Sequence, residues 1–241
     1  MISTDEAIEI FVNAYCLAKS RTHPYVSSRH GDLWVMRDGP GKKRDPRKIE
    51  VVTHGIAPAE VVRQVQDLAL GWHFVSYLHE NQEDLTKIRS QFRAIGYRAI
   101  ATEWLFVHDL NDILPATSEP PAKLIDSPEL LATIKQRASH PAKLRAGIRL
   151  YGVWDEEGDK GWVQSVPFGK SAWTANLYVH EQFRRHGYAS SLMCLLLQDD
   201  KRLGFEANVL LASTAGAKLY PKLGFKELGT LQIFCPMDRG R

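Results

Sequence analysis

Apolar positions along this 241-residue chain switch repeatedly between the helical and the extended period. Ala7, Ile8, Phe11, Val12 and Tyr15 share one helical face behind Ser3-x-x-Glu6, which has capping-box spacing, so the chain is expected to begin with a helix. Asp32 to Arg37 and Ile49 to Thr53 read as strands, joined by the turn-forming, positively charged stretch from Gly39 to Lys48. Val61, Val62, Val65, Leu68 and Ala69 give Pro58 to Leu70 a helical face. Trp72 to Leu78 is strand-like, Asp84 to Ile95 helical and Tyr97 to Val107 strand-like again. The segment Leu114 to Pro121, with Pro115, Pro120 and Pro121, is the best linker.

Beyond the linker the pattern predicts a helix from Pro128 to Ala146, broken at Pro141, then strands Ile148 to Trp154 and Gly161 to Val166. Asp155 to Asp159 is the polar hairpin between them. Trp173 to Val179 reads as a strand, Tyr188 to Leu203 as a long apolar helix and Ala207 to Leu211 as a short strand. A second helix from about Thr214 to Leu223 and a strand from Lys226 to Phe234 close the chain. The two halves are related: Phe92 to Phe106 superposes without a gap on Tyr220 to Phe234 at an offset of 128 positions. Gly96 falls on Gly224, Thr102 on Thr230 and Phe106 on Phe234. The expected division is an N-terminal domain over residues 1–113, a linker over 114–121 and a second domain over 122–241.

Composition narrows the picture only a little. A formal net charge of +3 permits an anionic ligand and disfavours, without excluding, a nucleic-acid partner. Cys16, Cys194 and Cys235 are an odd number with no metal-ligand spacing, which suits a reducing compartment and no metal. No apolar run approaches the roughly 18 to 20 residues that span a bilayer, and the polar start is unlike a secretory signal, so a cytoplasmic protein off the membrane is expected.

The chemistry concentrates between Trp173 and Leu203. A strand that feeds a helix through a Gly-containing turn leaves N–H groups pointing outward at the positive end of the helix dipole, a socket for an anion. Gly187 allows close backbone approach, and Arg184, Arg185 and His186 add charge suited to a pyrophosphate. At Arg184, Gly187 and Ala189 the chain resembles the GNAT superfamily of acyl-CoA-dependent N-acyltransferases, whose phosphate loop reads Gln/Arg-x-x-Gly-x-Gly/Ala. Leu177-Tyr178-Val179 upstream, and Leu219-Tyr220-Pro-Lys-Leu-Gly224-Phe225 downstream, match that family in order and spacing, over about residues 122 to 236.

The resemblance implies a mixed α/β fold, a mostly antiparallel sheet flanked by helices, in a tandem of a degenerate N-terminal half and a complete C-terminal half. It implies acetyl-CoA as cosubstrate, held by the main chain of Leu177, Tyr178 and Val179 and by Arg184, Arg185, His186, Gly187, Tyr188, Ala189 and Ser190. Tyr220 matches the family's tyrosine near the sulfur and is the expected general acid, with Pro221 disturbing its helix. Ser213 stands where many members have an asparagine that contacts the cofactor, although a helix-capping role also suits it. The first half has Phe92 in place of Tyr220 and no Arg-x-x-Gly-x-Gly/Ala between Thr53 and Val65.

No cysteine sits at the strand-to-helix junction to carry an acyl group, so direct transfer to a primary amine is expected, with a small-molecule acceptor. The general base stays open. Strand alternation would put Asn176, Tyr178 and His180 on one face, but His180, beside the turn, reads as a surface histidine. Glu103 and His108 are the other candidates. Transfer to a protein amino terminus or an aminoacyl-tRNA through the Lys42 to Lys48 loop, and a non-catalytic acyl-CoA-binding regulator, are the alternatives. A homodimer is compatible with each.

Overall fold

The computed structural model describes residues 2–42, 45–79, 84–115, 118–134 and 143–237. The chain forms two compact units, each assembled from separated stretches. The first contains Met1–Ala18, Val107–Leu210 and Lys218–Lys226. The second contains Lys19–Phe106, Leu211–Ala217 and Glu227–Arg241. The sequence repeat therefore does not coincide with the contacts, because helix α1 (Thr4–Lys19) joins the first unit and most of the last strand joins the second.

In the first unit α1 starts at the expected capping box: the Ser3 N–H donates to Glu6 Oε2 at 2.7 Å and the Glu6 N–H to Ser3 Oγ at 3.2 Å. Its buried face brings Phe11 to 4.8 Å from Trp173. The strands are β6 (Lys123–Ile125), β7 (Arg149–Asp155), β8 (Gly158–Phe168), β9 (Ser171–Val179) and β10 (Ala207–Ser213), in spatial order β10-β9-β8-β7-β6. All these pairs are antiparallel except β9 with β10. Helix α5 (Tyr188–Arg202) packs on β7, β8 and β9.

One expectation in this unit is corrected. Among the described residues, the helix expected over Pro128 to Ala146 is α4 (Pro128–Thr133), capped by Ser127 Oγ on the Leu130 N–H. Buried Ile134 is already extended, and Arg145 bridges to Ile148. Pro141 lies outside the described residues. The Pro-rich segment is hydrogen-bonded to α5 at Leu114 and Glu119. Lys201 Nζ donates to the Asn111 carbonyl at 2.9 Å, Gln198 to Leu114 at 3.3 Å and Tyr188 Oη to Glu119 at 3.3 Å.

The second unit holds β1 (Tyr25–His30), β2 (Leu33–Asp38), β3 (Ile49–His54), α2 (Pro58–Asp67), β4 (His73–His79), α3 (Leu85–Ala94), β5 (Tyr97–His108, as far as Phe106) and β11 (Lys226–Pro236, from Glu227). The strand order is β1-β2-β3-β4-β11-β5. Strand β1 escapes the sequence pattern because its one fully buried side chain is Tyr25. A two-residue turn, with Gly31 at φ +58°, joins it to β2. Val51, Val75 and Phe234 of the sheet pack with Val61 and Val65 of α2 and Phe92 of α3, and the Phe92 and Phe234 rings stack at 4.0 Å.

Both halves of the sequence run strand, strand, strand, helix, strand, short helix, strand, from β1 to β5 and from β7 to β11. The superposed glycines do the same work: Gly96 and Gly224 take φ of +86° and +89° between the short helix and the last strand, a region that favours glycine. The last strand of the second repeat, however, pairs with β4 of the first, from Thr230 with His79 to Phe234 with Val75. Removal of residues 1–113 would take away β4, β5 and α1 together, exposing an apolar face. Expression of residues 114–241 should give insoluble or unfolded protein, read by circular dichroism and gel filtration; a folded, monodisperse fragment would contradict this dependence.

Candidate functional site

Strands β9 and β10 begin side by side and then part. They are paired only at Ser171 with Ala207, Ala172 with Asn208 and Trp173 with Val209, yet β9 continues to Val179. The edge of β9 from Thr174 onward is thus free of β10 ladder bonds, leaving main-chain donors and acceptors along a slot. On its other side β9 stays paired with β8, but the register shifts between Trp162 and Gln164. Asn176 sits at this bulge in the left-handed region, φ +55°, and its Nδ2 donates to Gln164 Oε1 at 2.8 Å. Exposure alternates beyond the bulge, Asn176 and Tyr178 being exposed and Leu177 and Val179 half-buried, and the alternation fails only at His180, which is buried.

The slot leads to the loop before α5. A 3₁₀ turn over Glu181–Phe183 is followed by exposed Arg184, Arg185 and His186. Arg185 takes φ +69° and Gly187, the residue capping α5, φ +83°. Gly187 has no side chain to occupy the helix end. The first intrahelical bond there runs from the Ser191 N–H to the Gly187 carbonyl at 3.0 Å, which leaves the N–H groups of Tyr188, Ala189 and Ser190 for another partner. A Cβ built at Gly187 would meet nothing within 4 Å, so the space over this end is open. Arg184 Nε donates to the Val179 carbonyl at 3.3 Å, and the His186 and Tyr188 rings lie nearly parallel at 6.1 Å. Open N–H groups at a positive helix end beside two arginines can hold a pyrophosphate.

Beneath the slot lies a buried polar network that the sequence reading missed. Asp200 of α5, fully buried, accepts from Asn208 Nδ2 of β10 and from Ser165 Oγ of β8, both at 2.8 Å, and is ion-paired with Arg149 of β7. Thr174 of β9 joins through its hydroxyl to Asn208 Oδ1 at 2.7 Å. Burial pushes the Asp200 carboxyl above its ordinary value, opposed by Arg149, Ser165 and Asn208. The signal was present: Met193, Leu196, Leu197 and Asp200 recur at helical spacing, so a carboxylate stands on the apolar stripe of α5.

Tyr220 is buried in the first unit, on a turn that packs against α5. The expected helix from Thr214 to Leu223 is corrected to a single 3₁₀ turn, Tyr220–Leu223. Pro221 occupies its first position, where a missing N–H costs least. The Tyr220 ring meets Phe225 edge-on at 5.5 Å, and burial pushes its phenol up to about 12. Ser213 ends β10 as an exposed residue of the second unit, and its carbonyl accepts from the Gly216 and Ala217 N–H groups at 2.9 Å.

The base candidates fare differently. His180, expected at the surface, is buried because its Nε2 pairs with Asp159 Oδ2 and its ring lies among Trp162, Tyr178 and Phe183. His108 accepts the Leu110 N–H at Nδ1, 2.9 Å, which puts the neutral ring's proton on Nε2 and leaves no free lone pair for a substrate. Its burial holds the imidazole below its ordinary value. Glu103 lies in the second unit, where burial and then the neighbouring Glu50 hold its carboxyl above the usual range. In the Lys42 to Lys48 loop, Arg47 is committed to Asp38 and to the carbonyls of Lys19, His23 and Pro24. Lys48 Nζ lies 4.9 Å from the Trp72 ring and 4.8 Å from that of Phe74.

Residues 146–227 match the family model of the acetyltransferase (GNAT) domain, a span that contains the slot, the loop, α5 and Tyr220. Comparison with the curated proteins finds no match. Among solved structures, a GCN5-related N-acetyltransferase from Kribbella flavida is similar with a TM-score of 0.65 at 13% identity, covering 96% of this chain and 95% of that one. One from Sphaerobacter thermophilus has a TM-score of 0.58 at 14% identity, covering 87% of this chain and 78% of that one. A tandem GNAT protein from the clavulanic acid biosynthesis pathway has a TM-score of 0.53 at 13% identity, covering 99% and 97%. The fold is a tandem GNAT fold with a mixed, mostly antiparallel sheet flanked by helices, and the protein is an acyltransferase with a GNAT domain over residues 146–227. No helix among the described residues is long and apolar enough to cross a membrane, and none of them form a metal-holding group of His, Cys, Asp and Glu.

Asp200→Ala would strip Arg149, Ser165 and Asn208 of their common partner beneath the slot. Loss of one member of a buried ion pair typically costs about 3 to 5 kcal/mol, and the urea midpoint should fall accordingly. An unchanged midpoint would show that the network is energetically idle.

Proposed function

We propose that the protein transfers an acetyl group from acetyl-CoA directly to a primary amine, most simply on a small molecule, in the cytoplasm. The observation that carries this reading is the continuity of the slot beside β9 with the uncapped start of α5. Acetyl-CoA brings an activated thioester to be attacked by the amine. Main-chain groups of Leu177, Tyr178 and Val179 would hold the pantetheine arm and polarise the thioester carbonyl, as fixed dipoles do without reorganising. The N–H groups of Tyr188, Ala189 and Ser190, with Gly187, Arg184, Arg185 and His186, would hold the pyrophosphate. Tyr220 would give its proton to the departing thiolate and be reprotonated by the proton that the amine nitrogen releases as the amide forms.

The same comparison within the chain supports one CoA site. The parallel pair of the first repeat, β3 and β4, is in register at all six positions from Ile49 with His73 to His54 with Leu78, so no slot opens. Its helix α2 begins with Pro58, which has no N–H to offer an anion. The first repeat therefore offers no second CoA socket and serves as scaffold, its β4 pairing with β11. Arg47 and Lys48 of the Lys42 to Lys48 loop are engaged within the second unit, which weighs against these two as a tRNA contact; Lys43 and Arg44 lie outside the described residues.

Calorimetric titration with CoA should give one equivalent per chain, and Gly187→Val should abolish most of the affinity. Two equivalents, or unchanged affinity in that variant, would overturn the site. Tyr220→Phe keeps the ring and removes the proton, so turnover should fall by about 10²-fold with CoA affinity nearly unchanged. Because burial raises the phenol to about 12, Tyr220 stays protonated and competent through neutral and mildly alkaline pH. The kcat profile of the parent should accordingly show no alkaline fall from this group up to about pH 10. Turnover of Tyr220→Phe within about twofold of the parent would make the tyrosine structural.

A further inference from the structure

Strand β8 opens with two adjacent charged residues, Asp159 and Lys160, and both are buried, with exposures of 6% and 1%. Buried charges are rare and costly unless paired. Asp159 pairs with His180 Nε2. Lys160 Nζ reaches Asp155 Oδ1 at 2.9 Å and Glu157 Oε2 at 2.8 Å, and lies 3.9 Å from the centre of the Phe183 ring. His180 and Phe183 are the two ends of the 3₁₀ turn that connects β9 to the arginine loop, closed by the Phe183 N–H on the His180 carbonyl at 2.8 Å. Both charges therefore act on one short turn. The main chain adds a third tie, the His180 N–H on the Lys160 carbonyl at 3.0 Å. Next to it Gly161 packs so closely that an added Cβ would lie 2.3 Å from the Tyr178 carbonyl oxygen.

We propose that Asp159 and Lys160 are positioning residues for CoA: through His180 and Phe183 they clamp the turn that aims Arg184, Arg185 and the start of α5 at the pyrophosphate. This rests on the proposed CoA site. The residues touch neither the thioester nor the phosphates in this role. They fix the direction in which the loop leaves β9, which matters for phosphate contacts and not for the slot along Leu177 to Val179. Core packing alone would need no charge here, since Trp162, Tyr178 and Phe183 already surround the site with aromatic surface.

The test compares Asp159→Asn, which keeps the shape and an acceptor, and Lys160→Met, which keeps the stem over Phe183, with the parent. Two probes are used: CoA, and pantetheine, which has no phosphates. The expected result is a loss of about tenfold or more in CoA affinity, the size of one misplaced charge-assisted bond, with pantetheine affinity and kcat at saturating acetyl-CoA within about twofold of the parent. Equal losses for CoA and pantetheine, or lower melting temperatures with CoA affinity intact, would make the pair merely structural and overturn the proposal. Failure of the underlying reading has a different signature. In that case Gly187→Val binds CoA as the parent does, whatever the Asp159 and Lys160 variants show.

Discussion

Two parallel strands that start together and then separate need something to hold them at the point of parting, because a sheet left to itself continues its ladder. In this protein the anchor is Asp200. It reaches β10 through Asn208, β8 through Ser165 and β7 through Arg149, and Asn208 passes the connection to Thr174 on β9, immediately after the last paired position. A buried carboxylate with three partners is directional in a way that apolar packing is not. It fixes α5 against four strands at once. Since α5 supplies the uncapped N–H groups and packs on the turn of Tyr220, the geometry of the candidate site depends on this one network.

The two repeats show how small a difference separates a slot from a closed sheet. Their element order is the same, and Gly96 and Gly224 keep the same backbone conformation. In the first repeat the parallel pair is in register at six positions and α2 starts with a proline. In the second, three positions pair, a bulge at Asn176 follows, and α5 starts with a glycine. Register length, one bulge and the residue at a helix start account for the contrast. The first repeat also contributes β4, against which the second repeat's last strand pairs, so it is a structural requirement whatever its share in chemistry.

Much of this was legible in the residues themselves. Periodicity located α1, α2, α3, α5 and most of the longer strands, and the Ser3–Glu6 box formed as its spacing implied. Arg184, Gly187 and Ala189, in a strand-to-helix context, were enough to mark the helix start, and the backbone there follows from glycine chemistry alone. Periodicity overreached where apolar residues served packing without a helix. Ile134 belongs to a cluster with Ile125, Leu150 and Trp162, and the residues before Tyr220 turn without forming the expected helix.

What only the tertiary structure decided was partnership. A sequence pattern reports which face of an element is apolar, and it does not report which distant group will meet a polar residue on that face. Asp159 stood in a polar hairpin, His180 read as a surface residue, and Asp200 and Lys160 drew no reading at all; their partners appear only once β7, β8, β9 and β10 are assembled around them. The exchange of the last strand into the second unit is of the same kind: β11 has the pattern of a strand by itself, but its neighbour is chosen by long-range pairing. Local chemistry therefore determined the loop, the caps and the strand and helix periods, whereas the slot, the buried charges and the division into units arise from contacts between residues far apart in the chain.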